Sequence, residues 1–290
     1  MKKFIILIPI FNDWESLIKV VEEVNFNIKE FKNVLFDCIV VNDASTINLP
    51  EIKKPSNINS IQILNMRENQ GHARCNAFGI RYVLDNKTFD NLILMDGDGE
   101  DRPVELRELV NKILKNPDRS VVAKRVKRSE GVFFQLLYRA HKILTLIFTG
   151  KNINFGNYSC LTRKDVSKIY SQASLWSSYS GTVKKNIDDF DEINSFRGLR
   201  YFGPSQMSLL NLLIHSFSII AVFKFQVFLR SLFLILILFF LMQYSEKLSI
   251  FLQIITVLFN VIIFGTSFRE NKNELINSKD NLEKITYITQ

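Results

Sequence analysis

Between Phe4 and Ala123, short apolar runs alternate with stretches of helical periodicity, and this alternation restricts the fold more than any other feature of the chain. The runs cover residues 4–10, 36–41, 61–64, 92–95 and 120–123. They are continuous rather than apolar at every second residue, as expected of strands covered on both faces. Behind the first run, Trp14, Leu17, Ile18, Val21 and Val24 recur at helix spacing, with Asn12 or Asp13 as N-cap. Ala73, Ala77, Ile80 and Leu84 mark a second helical face, and Leu106, Leu109, Val110 and Ile113 a third that Pro103 opens. The pattern predicts an α/β domain built on a mainly parallel sheet.

An open sheet of this kind binds ligands beyond the carboxyl ends of its strands. Those ends are polar here. The first run closes in Pro9-Ile10-Phe11-Asn12-Asp13, the second in Asn42-Asp43-Ala44-Ser45, and the fourth in Asp96-Gly97-Asp98-Gly99-Glu100. Parallel strands bring all of them to one edge. Asp-x-Asp offers hard oxygen ligands to a divalent cation of Mg²⁺ or Mn²⁺ size. Asp43 suits a hydrogen bond to a base N–H, and Asp13 suits either that task or helix capping. An EF-hand is excluded: counted from Asp96, the sixth place is Asp101 and the twelfth Arg107, where that loop needs Gly and Glu. His72 and Arg74 read as solvent-facing helix residues as readily as functional ones.

The C-terminal third has another character. Residues 231–245 carry no charge, residues 226–244 only Arg230, and residues 248–268 none. About 20 apolar residues suffice to cross a bilayer as a helix. The two stretches read as a helical hairpin over residues 226–268 with Glu246-Lys247 as its turn. Lys224 and Arg230 precede it and Arg269 and Lys272 follow, which puts both ends in the cytoplasm, with Arg230 snorkelling to the interface. Residues 209–225 read as a juxtamembrane helix lying on the membrane surface, with His215 on its polar face. Residues 269–290 read as a solvated, loosely structured cytoplasmic tail.

The net charge of +8 suggests an anionic partner. The two apolar spans and the acidic strand ends speak for a membrane rather than nucleic acid. Cys38, Cys75 and Cys160 form no metal or disulfide pattern. The N-terminus imitates a signal peptide, but its apolar run is short and ends at Pro9, so a buried first strand is expected.

The segment Ile8-Pro9-Ile10-Phe11-Asn12-Asp13 resembles the opening signature of family 2 glycosyltransferases. Asn42-Asp43-Ala44-Ser45 resembles their second signature, usually Asp-Asp-Gly-Ser. Asn69-x-Gly71-x-x-x-Cys75-x-Ala77 is similar to the third, and Met95-Asp96-Gly97-Asp98 to the metal motif. With the hairpin, the resemblance extends to the polyprenyl-phosphate branch, such as dolichyl-phosphate mannose synthases.

The resemblance implies a GT-A fold over residues 1–208, a UDP- or GDP-sugar donor, a divalent metal and inverting transfer to polyprenyl phosphate. Asp98 and Glu100 would hold the metal, and Asp96 would contact the donor. Pro9, Asp13 and Asp43 would line the nucleotide pocket. Arg125 would stabilise the departing diphosphate. Arg128, Arg139, Arg200 and Ser205 would face the acceptor phosphate. An ionised phosphate acceptor needs no strong general base.

The sequence departs from this pattern at Gln206, at Asn157 and Ser159, and at Ala123-Lys124. Two rival readings therefore stay open. One is transfer to a sugar hydroxyl in surface-glycan synthesis, with Asp188, Asp189, Asp191 or Glu192 as base. The other is a catalytically silent membrane binding subunit. Self-association of the hairpin is a further expectation.

Overall fold

A computed structural model describes residues 1–127, 132–204 and 208–288. Among the described residues there is one sheet, of eight strands in the order β7-β5-β6-β4-β1-β2-β3-β8. The centre is β1 (Lys2–Ile10), flanked in parallel by β2 (Val34–Asn42) and β4 (Asn91–Leu94). Beyond β2 runs β3 (Ser60–Met66), also parallel. Beyond β4 lies β6 (Phe155–Thr162), antiparallel, then β5 (Ser120–Lys127) and β7 (Phe190–Phe196), which point the same way as β1. Four of the seven pairings are parallel, so the sheet is mixed with a parallel centre.

The apolar runs form strands because both faces of the sheet are covered. Phe4 through Ile8 are fully buried, with alternate residues in two separate cores. One core packs α1 (Trp14–Ile28) and α3 (Leu106–Lys115) on the Phe4, Ile6 and Ile8 side. The other packs α2 (His72–Asn86) on the Ile5 and Leu7 side, with α5 (Arg163–Ile169) and α6 (Tyr179–Asn186). A Cβ at Gly79 of α2 would stand 2.7 Å from Leu7 Cδ1 and 3.0 Å from Val41 Cγ2, so glycine permits this close helix–sheet approach. Pro9 is tolerated in the central strand because it lies beyond the last β1–β4 pair, Leu7 with Leu94.

The C-terminal apolar stretches form α8 (Lys224–Leu241, 18 residues) and α9 (Glu246–Ser267, 22 residues). At 1.5 Å per residue these span about 27 and 33 Å, enough to cross a membrane. Only 17% of their most apolar windows is buried. The turn is residues 242–245 rather than Glu246-Lys247, which open α9. Glu246 there meets the positive end of the helix dipole. Arg230 donates from Nη1 to Ile147 O at 3.0 Å, so it caps the carbonyl end of α4 (Val132–Thr149) rather than reaching outward.

Helix α7 (Leu209–Ala221) is only half a surface helix. Leu209, Leu210 and Leu213 are exposed, whereas Ile219 and Ile220 are buried and Lys185 donates to Val222 O. A second such helix escaped the sequence reading. Exposed Leu136, Ile143, Leu146 and Ile147 make an apolar stripe along α4, whose other side contributes Phe148 to a cluster with Ile220, Val227 and Ile263.

The largest correction concerns residues 269–290. They do not form a loose tail. Helix α10 (Lys272–Asn277) packs near the N-terminus of α2, and β8 (Leu282–Ile288) adds to β3 as an antiparallel edge strand. The domain therefore does not end at residue 208. Periodicity gave no sign of this, because an edge strand of mixed polarity is stabilised by pairing rather than by its own burial.

Candidate functional site

The sheet geometry brings the ends of β1, β2, β4, β5 and β7 and the beginning of β6 to one edge. Two non-glycine residues with positive φ stand there, Asn12 (53°) and Ala44 (57°). Asn12 locks the first two strand ends together. Its Oδ1 accepts from Thr46 N at 2.8 Å and Ile47 N at 3.1 Å, and its N–H donates to Ser45 Oγ at 2.8 Å. Asp13 occupies the N-cap position of α1 but makes no capping bond. Instead it accepts from Arg200 Nη2 at 2.5 Å.

Asp43 is buried. Its Oδ1 accepts from Gln70 N and its Oδ2 from Gly71 N, each at 2.8 Å. Burial raises its pKa, and the two N–H donors only partly offset this. The carboxylate thus draws the loop before α2 over the end of β2. Gly71 has a φ of 87°, which glycine adopts without strain.

The acidic turn after β4 is tightly built. A Cβ on Gly97 would stand 2.9 Å from Ile8 Cγ2, so only glycine lets both flanking aspartates sit over β1. Asp96 Oδ1 meets His72 Nε2 at 3.0 Å and Asn157 Nδ2 at 3.2 Å. Burial would raise Asp96, but His72 overcomes this and holds it well below the usual carboxylate range. His72 is raised in return: burial lowers it, and Asp96 more than compensates. Asp98 Oδ1 accepts from Glu100 N, and its Oδ2 from Arg200 Nη1 at 2.7 Å. Asp101 Oδ2 accepts from Asp96 N at 2.9 Å. Burial and then the Asp96 charge raise Asp98, and push Asp101 up to about 7. Burial also raises Glu100.

Cations answer this concentration of acid. Arg197 pairs with Glu100, and Arg200 bridges Asp98 and Asp13. The loop carrying both arginines lies directly on the acidic turn, with Gly198 N bonded to Glu100 O at 2.8 Å and Tyr201 N to Asp98 O at 3.0 Å. Arg125 packs over Gly156, where any side chain would strike its guanidinium.

The structure thus gathers Pro9, Asp13, Asp43, Asp96, Asp98, Glu100, Arg125 and Arg200 at one edge. Arg139 is exposed on α4. Arg128 and Ser205 lie outside the described residues. Arg200 donates through Nη1 to Asp98 and through Nη2 to Asp13.

His72, Asp101, Asn157 and Arg197 belong to the site and were not assigned to it from sequence. His72 had a signal, its place inside the third signature. His215 is half-buried on α7. Burial, and then the charges of His72, Arg125 and His141, lower its pKa to about 4. The candidate base cluster is elsewhere. Asp189 and Asp191 pair with Arg119, and Glu192 with Lys124, along β7 from its amino end, at the opposite edge.

An open α/β sheet with its acids gathered in this way at the carboxyl edge is the architecture of a GT-A glycosyltransferase. Residues 5–178 match the model of glycosyl transferase family 2, and the chain belongs to that family. An uncharacterized protein of Methanocaldococcus jannaschii is 26% identical over 113 residues, 38% of this chain and 46% of that one. The chain therefore matches about half the length of this relative. Among solved structures, glucosyl-3-phosphoglycerate synthase from Mycobacterium tuberculosis, with Mn²⁺, UDP-glucose and phosphoglyceric acid, superposes with a TM-score of 0.52 at 15% identity. The match covers 78% of this chain and 80% of that one. A mycobacterial protein superposes with a TM-score of 0.53 at 14% identity, covering 78% and 74%.

Proposed function

We propose that this protein transfers a sugar from a nucleotide-sugar to polyprenyl phosphate at the cytoplasmic face of a membrane that α8 and α9 cross. The observation that carries this reading is the union of two features in one body. Helix α4 follows closely on β5, whose end carries Arg125 at the acidic edge, and α7 follows closely on the loop whose Tyr201 N bonds Asp98 O in the acidic turn. Those two helices expose Leu136, Ile143, Leu146, Leu209 and Leu210, next to the apolar hairpin. A site for a charged donor that opens beside a lipid-like surface fits an acceptor with a phosphate head and an isoprenoid body.

In this reading Pro9, Asp13 and Asp43 line the nucleoside pocket, and Asp96 orients the donor with His72 and Asn157. The donor set fits a divalent cation. Asp101 is buried and Asp98 and Glu100 are partly buried, all three with raised pKa values, and such anions are stabilised by a metal. Among the described residues no three ligating side chains close on one point. That suits an ion held by Asp98 and Glu100 that takes its other ligands from diphosphate and water. Bound there, it would neutralise charge on the departing diphosphate. The Mn²⁺ and UDP-glucose in the mycobacterial synthase support the same donor chemistry here.

Arg125 stabilises the leaving diphosphate. Arg139 and Arg200, with Arg128 and Ser205, attract the acceptor phosphate, and Arg can grip phosphate through two N–H groups. The phosphate oxygen is already anionic and attacks without a protein base. The remoteness of Asp188, Asp189, Asp191 and Glu192 speaks against the sugar-hydroxyl alternative.

The test is an assay of the membrane-embedded protein with radiolabelled UDP- and GDP-sugars and polyprenyl phosphate. A mild-acid-labile lipid product is expected. Label confined to polymer or free sugar would overturn the lipid acceptor.

A further inference from the structure

The segment that follows the hairpin reaches back into the donor side of the sheet. Thr286 of β8 accepts through Oγ1 from Asn65 Nδ2 at 3.1 Å. Asn65 Oδ1 accepts from Asn42 Nδ2 at 2.9 Å, and Asn42 Oδ1 accepts from Ser45 N at 3.0 Å. Ser45 Oγ then holds Asn12 N at 2.8 Å. Asn42 and Asn65 are 7% and 8% exposed, so the inner part of this relay is out of water.

A second strut runs beside it. Asn281 clasps the backbone of the neighbouring loop on three atoms: its carbonyl accepts from Arg67 N at 2.8 Å, its Oδ1 from Glu68 N at 3.0 Å, and its Nδ2 donates to Glu68 O at 3.0 Å. Two residues further on, that loop supplies the Gln70 and Gly71 N–H groups that hold Asp43.

We infer that Asn281 and Thr286 are positioning residues for the nucleotide pocket, so that the chain beyond the hairpin sets donor affinity. This inference rests on the donor reading above. Physically, the strand ends at Asn12 and Asp43 are loops that a ligand must find in one arrangement. Disorder in them reduces apparent affinity in proportion to the competent fraction. The two struts remove that freedom from the side away from the ligand. Neither residue bonds the acidic turn, Arg197 or Arg200 in these struts, so their loss should leave the chemical step alone.

The experiment is calorimetric titration of the full chain in nanodiscs with UDP and with GDP, each with Mn²⁺, alongside turnover at saturating donor. Asn281→Ala should raise the nucleotide Kd about 10-fold, and Thr286→Val, which keeps the side-chain shape, about 5-fold. Turnover at saturating donor should stay within about twofold of wild type, because the transition-state contacts are untouched. Thr286→Ser should restore wild-type affinity. Unchanged Kd in both variants, with nucleotide bound normally by wild type, overturns the positioning role alone. A joint fall in Tm, turnover and acceptor affinity that Thr286→Ser does not rescue overturns it too, in favour of a merely structural role. Failure of wild type to bind either nucleotide overturns the donor reading and this inference together.

Discussion

The two edges of the sheet both hold buried acids, and they treat them in opposite ways. At the amino edge, Asp37 accepts from Lys3 Nζ at 2.8 Å, Asn59 Nδ2 at 2.7 Å and Ser60 Oγ at 2.5 Å. Burial would raise its pKa, but those donors prevail and lower it. At the carboxyl edge, burial prevails and raises Asp98, Glu100 and Asp101. Non-glycine residues with positive φ, Asn12 and Ala44, also stand at the carboxyl edge. One edge is built for stability. The other accumulates charge and backbone strain, as functional sites do.

The strongest way to break this contrast is Asp98→Ala. If the turn binds metal and diphosphate, turnover should fall at least about 1000-fold, and Mn²⁺-dependent thermal stabilisation by nucleotide-sugar should vanish. Retained stabilisation would place the donor elsewhere.

Arg200→Ala comes next. Arg200 holds both Asp98 and Asp13, so it competes with a cation for the same oxygens. Its removal should tighten Mn²⁺ binding about 5-fold, by the loss of a partly buried ion pair, while turnover drops through loss of an acceptor contact. Weaker Mn²⁺ binding in a titration would show that the arginine supports the cation site.

The pH behaviour of the two edges should differ in sign. Asp101, raised to about 7, carries an increasingly costly charge as pH rises from about 4 towards 7. Asp101→Asn should therefore raise Tm by about 4 °C at pH 8 without metal, and leave it unchanged near pH 4. Asp37 is depressed, so its contribution is present above its unfolded value near 4 and is lost as pH falls through its folded value. Asp37→Asn should lower stability at pH 7 by about 1–2 kcal/mol and flatten the acid limb of the unfolding profile. Parallel profiles for the two variants would remove the contrast.

The smallest effect concerns strain. Ala44, with a φ of 57°, sits where related signatures have glycine. Ala44→Gly should stabilise the protein by about 0.5–1 kcal/mol in denaturant titration, since alanine strains in this region and glycine does not. Destabilisation would mean that the loop is rigid for another reason.

Much of the donor side was legible in the residues themselves. Continuous apolar runs became the central strands, and the polar clusters after them met at one edge because parallel strands end together. Gly97 carried its own steric reason. The hairpin was legible from length and composition, since a span of apolar residues is a local property. Nothing local told of the exposed apolar stripe at Leu136, Ile143, Leu146 and Ile147 on α4. The stripe is apolar on both sides until packing decides which side Phe148 buries.

What the sequence determined alone is therefore the class of fold, the acidic carboxyl edge and the apolar hairpin, because each follows from periodicity or composition within a few residues. The tertiary structure decided the partners. Arg200 reaches Asp98 across 102 positions and Asp13 across 187, and Thr286 reaches Asn65 across 221. Such pairings depend on which strand lies beside which, and a polar residue reads the same in sequence whether it meets water, an acid or a distant strand.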